Sequence, residues 1–424
     1  MAHSFSKTEM IFFETVIEGF DPNNITVKNV NQYKPSAQAV ERSGLTVRRP
    51  YPYQVNNATG LDVSSSYKDL TELTCPVSLA ASDIKNVPFT LSAFERNDER
   101  RLREAAVAAT QDLSSQVDTD VQNTIATRGS IVTAETGNFD TYHKLSKGET
   151  ALMEREVQQS TSRSLVLNPR AANAMASDIA GRNNLDGRPL TTYERATLPP
   201  VAAFNTLRAN VIQNISGSAS SGVTVNGASQ SVTPVAFDST GTLAAGTVDD
   251  PRYSVLTVSA AHGLVAGDCF TLAGVNSIGA ISKKDTGQLQ TFRVISVSTN
   301  DLTISPAIIP ADGTDAQVRY ATVTTTPANG AAVTVVNTDD TQPSIFFTRP
   351  SVEVFVGELE TSELAQSMAV MSETTDSGIS IIFARQGSID DMSAKYRLTC
   401  WTKAHVLQPQ HCGIMLPNQN AAVG

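Results

Sequence analysis

The chain has 424 residues, 40% of them hydrophobic, a formal net charge of −10 and a pI near 5.1. That is enough for two or three domains with a sizeable core, and the acidic balance disfavours a dominant basic surface for nucleic acid or anionic membrane. Charged residues make up only 17%, against about 25% in ordinary globular chains, which suits a protein that uses much of its surface for contacts with copies of itself.

The first residues carry no basic stretch followed by an apolar one, so no secretory signal is expected, and no apolar run approaches the ~18 residues of a membrane span. Residues 4–20 read as an amphipathic helix, with Met10, Phe13, Ile17 and Phe20 at helical spacing and Phe12 and Val16 beside them. Glu14 and Glu18 fall one turn apart on the opposite side, and a like-charge pair at that spacing costs a few tenths of a kcal/mol unless a basic partner relieves it. From 21 to 90 the pattern is irregular. Pro35, Pro50, Pro52, Pro76 and Pro88 punctuate short extended pieces, and 56–60 marks a turn.

Residues 92–128 predict one long helix. Ser92 and Glu95 form a capping-box pair. Leu102, Ala106, Ala109, Leu113, Val117, Val121 and Ile125 then make a single apolar stripe, and Arg128-Gly129 supplies the stop. Unbroken, such a helix is roughly 55 Å long. Arg96, Arg100, Arg101 and Arg103 alternate with Glu95, Asp98, Glu99 and Glu104, the pattern of a salt-bridged solvated face. The stretch 145–212 is mixed, with a short strand at 165–167 and a helix over 171–181.

Between Asn214 and Ser344 the composition changes to Ser, Thr, Gly, Ala and Val with no helical stripe. Strands are predicted at 223–225, 232–237, 253–259, 268–272, 292–297, 302–305, 318–324 and 332–336, separated by Gly, Asn, Asp and Pro turns. Short strands at this density predict a small closed or nearly closed barrel, spliced into a different host fold. After 345 the α+β character returns: 379–383 is an apolar run, and Tyr396, Leu398, Cys400, Ala404 and Val406 alternate with polar residues as in a long half-buried strand.

Familiar reaction centres are absent from the sequence. There is no Gly-Lys phosphate loop, no HExxH, no GxSxG and no CxxC. Cys75, Cys269, Cys400 and Cys412 are scattered, with no disulfide framework, as in a reducing compartment. Cys400, His405, His411 and Cys412 lie close in sequence, but strand alternation sends Cys400 inward and His405 outward, so no metal site is expected. Asp339-Asp340 and Asp390-Asp391 read as turn residues. No catalytic residue, cofactor or metal is expected, and the chain is not expected to be an enzyme.

This order of parts resembles the Hong Kong 97-type major capsid fold. The inserted barrel narrows the resemblance to coat proteins of short-tailed double-stranded DNA bacteriophages, of the Salmonella type. Residues 221–228 and 255–275 look like the opening and third strands of that family's insertion domain. Residues 382–389 and 413–419 are similar to the closing strands of the family's coat protein. The resemblance implies an α+β fold divided into an N-terminal arm (1–45), an extended loop (46–91), a spine helix (92–130), a peripheral and axial body (131–213, resuming at 345–424) and a β-barrel insertion domain (214–344).

The same resemblance implies a function in assembly: hexamers and pentamers tiling an icosahedral shell, built on a scaffolding protein, joined to a portal protein, and expanding as double-stranded DNA is packaged without sequence-specific contact. The location implied is the virion, with assembly in the host cytoplasm and no membrane partner. Glu14 and Glu18 fall where the family's arm meets a basic scaffolding helix. Asp249, Asp250 and Arg252 fall in a loop, 238–252, that would reach the next capsomer, although Ala244-Ala245-Gly246 makes its middle less acidic than in the family. An encapsulin-like compartment shell and a phage tail or adhesin protein are the alternatives.

Overall fold

The structure is a computed structural model and describes residues 5–35, 46–55, 58, 60–96, 98–158, 161–180, 198–209, 212–238, 243–359, 368–387 and 393–423. The chain divides into two units. The first comprises Met1–Val47, Val77–Gln122 and Glu353–His405; the second comprises Arg48–Pro76, Asn123–Val352 and Val406–Gly424.

In the first unit, helix α1 spans Lys7–Asn23 and starts where Ser6 and Glu9 form a reciprocal capping box. It buries Phe12, Phe13, Val16 and Phe20, each contributing about 1.5–3 kcal/mol on full burial. The buried face is rotated from the expected stripe: Met10 is 50% exposed and Ile17 half-buried. The aromatic side chains decide this, because Phe12 and Phe13 stack on Phe383 with centroids 5.1 and 5.7 Å apart.

Phe383 belongs to a six-stranded sheet. Its order is Asn31–Tyr33, Val352–Val356, Ala394–Val406, Ser380–Gly387 and Ala369–Thr374, with Ile84–Leu91 also pairing Ala394–Val406. Along Ala394–Val406 Tyr396, Leu398, Cys400, Ala404 and Val406 are buried, as the alternation predicts.

Helix α2 spans Glu99–Arg128, about 45 Å at 1.5 Å per residue. All seven residues of the predicted stripe are buried. Its start differs from the expectation. The Ser92–Glu95 capping box forms, with Ser92 N donating to Glu95 Oε2 at 2.9 Å, but it opens only the short turn Ala93–Arg96. Thr26 N and Val27 N both donate to the buried Asp118 of α2, at 2.7 and 3.2 Å, tying the segment after α1 to this helix.

The second unit holds a five-stranded sheet ordered Ile131–Ala134, Cys412–Leu416, Ser344–Thr348, Arg163–Leu167 and Asn205–Arg208, parallel at both edges and antiparallel in the middle. Helix α3 (Tyr142–Glu154) and helix α4 (Pro169–Ala180) contribute Leu145, Leu152, Ala172, Met175 and Ile179 to a core with Phe204, Phe346 and Met415. The last residue of the helix expected over 171–181 lies outside the described residues, as do Asp390-Asp391 and part of the turn at 56–60.

Between Asn205–Arg208 and Ser344–Thr348 the chain leaves this sheet and returns, and Ile215 and Thr341 pair with each other in both directions at 2.8 and 2.9 Å. Inside that gate is an antiparallel sheet ordered Ser254–Thr257, Asp301–Ser305, Asp285–Ser298, Cys269–Ile278 and Val333–Val335. The segment 223–226 closes it. Val225 N reaches Ala331 O and Val333 N reaches Val223 O on one side, while Ser259 N reaches Thr224 O and Asn226 N reaches Thr257 O on the other. Val225, Leu256, Phe270, Phe292, Leu302 and Ile304 fill the interior.

Residues 318–319 are not extended: Thr314 and Gln317 make a capping box that opens the short helix Asp315–Arg319. The strands at 268–272 and 292–297 are longer than predicted, running over Cys269–Ile278 and Asp285–Ser298. Their extra lengths pair with each other through register shifts. Gly274 and Gly287, both at positive φ, therefore interrupt the alternation without ending the ladder.

Candidate functional surfaces

The arm helix is anchored from below by one carboxylate. Glu9 is buried and accepts from Tyr396 Oη at 2.8 Å, from the Arg385 guanidinium, and from the Ser6 backbone at 2.9 Å. Burial alone would raise its pKa. The hydrogen bonds from Arg385, Ser6 and Tyr396 outweigh that and hold it down to about 2. Above this anchor, α1 presents Met10, Glu14 and Glu18 outward, and among the described residues neither glutamate has an ion-pair partner. The outward face is therefore a short acidic strip with one exposed thioether on a well-seated helix.

The three charged residues of the barrel loop all find partners within their own chain. Asp249 pairs with Arg48 at 2.9 Å, and the Arg48 guanidinium lies 3.4 Å from the ring centroid of Phe237. Asp250 grips Arg252 through both oxygens, at 2.7 to 3.2 Å. Arg252 is only 4% exposed and also donates to Pro76 O at 2.9 Å and Val406 O at 3.2 Å. Burial would lower its pKa, but Asp250 more than offsets this, so the group stays cationic. Its donors are committed within the subunit. The structure makes Arg252 an internal brace between the loop, the segment 48–76 and the C-terminal return, and leaves 243–246 exposed.

Sequence reasoning assigns no role to Arg293. It lies between Phe292 and Val294, which face the barrel core, so alternation points it outward to solvent. The structure buries it completely, because the outer face of that strand packs on the end of α2. Its guanidinium donates to Ala126 O at 2.5 Å and to Thr127 O at 3.4 Å, carbonyls that have no donor left inside the helix. Beside it, Thr291 Oγ1 accepts from Val132 N at 3.2 Å and donates to Ser130 O, and Arg128 donates to Tyr253 Oη at 2.5 Å. The barrel thus supplies the C-terminal cap of the long helix. No local sequence signal marks this contact.

Among the described residues no three His, Cys, Asp or Glu side chains form a metal-binding group, and no helix is long and apolar enough to cross a membrane. All four cysteines are buried and unpaired. Burial pushes the Cys75 and Cys400 thiols up to about 12, so they are poor nucleophiles. His405 stands edge-on to Phe355 at 6.4 Å.

The chain thus consists of a seated arm helix, a long helix and a closed barrel inserted into an α+β body. The family described as P22 coat protein, gene protein 5, matches residues 1–418. The chain belongs to that family, and it is a major capsid protein: a structural subunit of a homo-oligomeric shell, located in the virion. Its fold is mixed α+β, with a β-barrel domain inserted between Asn205–Arg208 and Ser344–Thr348. A structure from Mycobacterium phage Che8 aligns with a TM-score of 0.43 at 10% identity, covering 92% of this chain and 91% of its own. A capsid structure of cyanophage P-SCSP1u gives 0.42 and 10%, covering 92% and 85%. The I-domain of the CUS-3 coat protein is 43% identical, covering 27% of this chain and 95% of its own, with a TM-score of 0.21.

Proposed function

We propose that this coat protein assembles into hexamers and pentamers of an icosahedral shell on a scaffolding protein. That shell incorporates a portal protein in the host cytoplasm and expands as double-stranded DNA enters, without sequence-specific contact. The observation that carries the scaffold step is the outward strip of α1: Glu14 and Glu18 lie one turn apart and exposed, without an ion-pair partner among the described residues, while Glu9 on the same helix is locked inward. A helix that needed only to pack on its own sheet gains nothing from that pair. A basic helix laid against the strip relieves the repulsion and covers Met10.

Such a contact is exposed, so it is worth little per ion pair and weakens with salt. That suits a partner that must later leave. For the barrel loop we infer a divided role, in which Asp249, Asp250 and Arg252 fix the loop's base and 243–246 meets the next capsomer.

The double substitution Glu14→Lys and Glu18→Lys tests the scaffold reading. Co-expressed with its scaffolding partner, the variant is expected to lose scaffold binding and uniform particles while its monomer melts as the wild type does. Unchanged co-assembly at physiological salt removes both residues from the site.

A further inference from the structure

The second unit contains a cleft of about 700 Å³, within the ~300–1,000 Å³ range of small-ligand sites. The inner face of α3, the strand Ile131–Ala134, the barrel wall around Leu289 and Thr291, and the tail residues 421–423 enclose it. Its walls are mostly apolar, with Val132, Ala151, Leu289, Val335 and Ala422 among them.

One charge in it is out of balance. Arg155 lines the cleft and is 7% exposed. Among the described residues its guanidinium has a single hydrogen bond, from Nη1 to Ser130 Oγ at a long 3.4 Å, and no carboxylate within ion-pair distance. Glu154, the neighbouring residue on the same lining, is exposed and forms no such pair with it. Lys147, the lysine of the lining, is already matched by Glu135 at 2.8 Å. The imbalance reaches the surrounding groups. Burial pushes Arg155 down to about 10, and burial together with the Arg155 charge pushes His411 down to about 4. Buried cations in folded chains are normally paired, and the planar fork of guanidinium donors favours carboxylate or phosphate oxygens.

We propose that this cleft binds an amphipathic organic anion, an apolar body carrying one carboxylate or phosphate head, with the head on Arg155 and the body along Leu289, Val335 and Ala422. The unmatched guanidinium defines the head, and the apolar side chains of the lining define the body.

The test is titration calorimetry and thermal melting of the purified full-length chain with octanoate, with octanol as the uncharged analogue, and with inorganic phosphate. Octanoate is expected to bind saturably at one site and raise Tm by a few degrees when in large excess over its Kd. Octanol should bind about tenfold or more weakly, and inorganic phosphate should bind more weakly than octanoate. Arg155→Gln should abolish octanoate binding. Leu289→Glu, at a lining side chain that is 44% exposed, should weaken it without changing the melting of the unliganded chain. This second variant decides the matter should Arg155→Gln not fold. Equal binding of octanol and octanoate, or octanoate binding unaffected by both substitutions, overturns the proposal. An effect of phosphate equal to that of octanoate overturns the apolar half of it.

Discussion

The Glu9 carboxylate meets the Arg385 guanidinium across 376 residues of sequence, and the same carboxylate closes the capping box of α1. One buried anion therefore both starts the arm helix and fastens it to the sheet of its own unit. Its pKa, about 2 against an ordinary 4.5, sets the sign of the pH effect. A depressed carboxylate contributes stability that is complete above the unfolded value and is lost as pH falls towards the folded one. The arm is expected to hold fully at pH 6 and to loosen between about pH 4.5 and 2. Glu9→Gln should destabilise its docking by about 1–3 kcal/mol at neutral pH and flatten that acid dependence. Proteolytic susceptibility of the arm against pH measures both.

Arg252 is expected to matter far more than Asp249, although the sequence offers both as candidates for one loop. Arg252→Ala strands Asp250 and the carbonyls of Pro76 and Val406, and breaking a buried pair in this way costs about 3–5 kcal/mol. Arg252→Lys recovers only part of it, since an ammonium cannot reproduce the fork on Asp250. Asp249→Ala removes a partly exposed pair worth about 0–1 kcal/mol. Urea denaturation of the three variants gives the order directly.

Arg293→Met keeps apolar bulk in the barrel strand but leaves the carbonyls of Ala126 and Thr127 without a donor. A loss of about 1–3 kcal/mol is expected, with faster hydrogen exchange concentrated at the C-terminal turns of α2. Uniform acceleration across the chain, with no local excess there, contradicts the capping role.

Gly413 lies on an interior strand of the five-stranded sheet, where a Cβ would overlap Ile131 O and come within 2.6 Å of the Phe346 ring. The backbone oxygen cannot give way as a flexible side chain can. Gly413→Ala is therefore expected to destabilise by about 3 kcal/mol or more, read as a temperature-sensitive yield of soluble chain. By contrast, a Cβ at Gly387 has open space around it, and Gly387→Ala serves as the control.

The difference between what is legible in the sequence and what is not follows from the range of the forces involved. The seven-residue stripe of α2 and the alternation of Ala394–Val406 are local periodicities, and both read correctly because burial of one face is all they record. The capping box at Ser92 is also real, yet it opens a separate short turn, since a cap specifies a start and not the length that follows. The rotation of α1 comes from Phe383, which lies at the far end of the sequence and is invisible to a helical wheel. Among site residues, the exposure of Glu14 and Glu18 follows from the wheel. The inward commitment of Arg252 and the burial of Arg293 do not, because each depends on carbonyls brought in from other elements. Charge in a sequence marks an interaction; it does not say whether the partner is the same chain or the next one.

Cryo-electron microscopy of particles purified from cells co-expressing the chain with the proposed scaffolding partner tests most directly whether this chain tiles a closed shell. Uniform icosahedral particles are expected, in which this chain forms both the five-fold and the six-fold rings, with its barrel as a distinct lobe on each subunit. Soluble monomers under all conditions, or open filaments without five-fold rings, contradict this expectation.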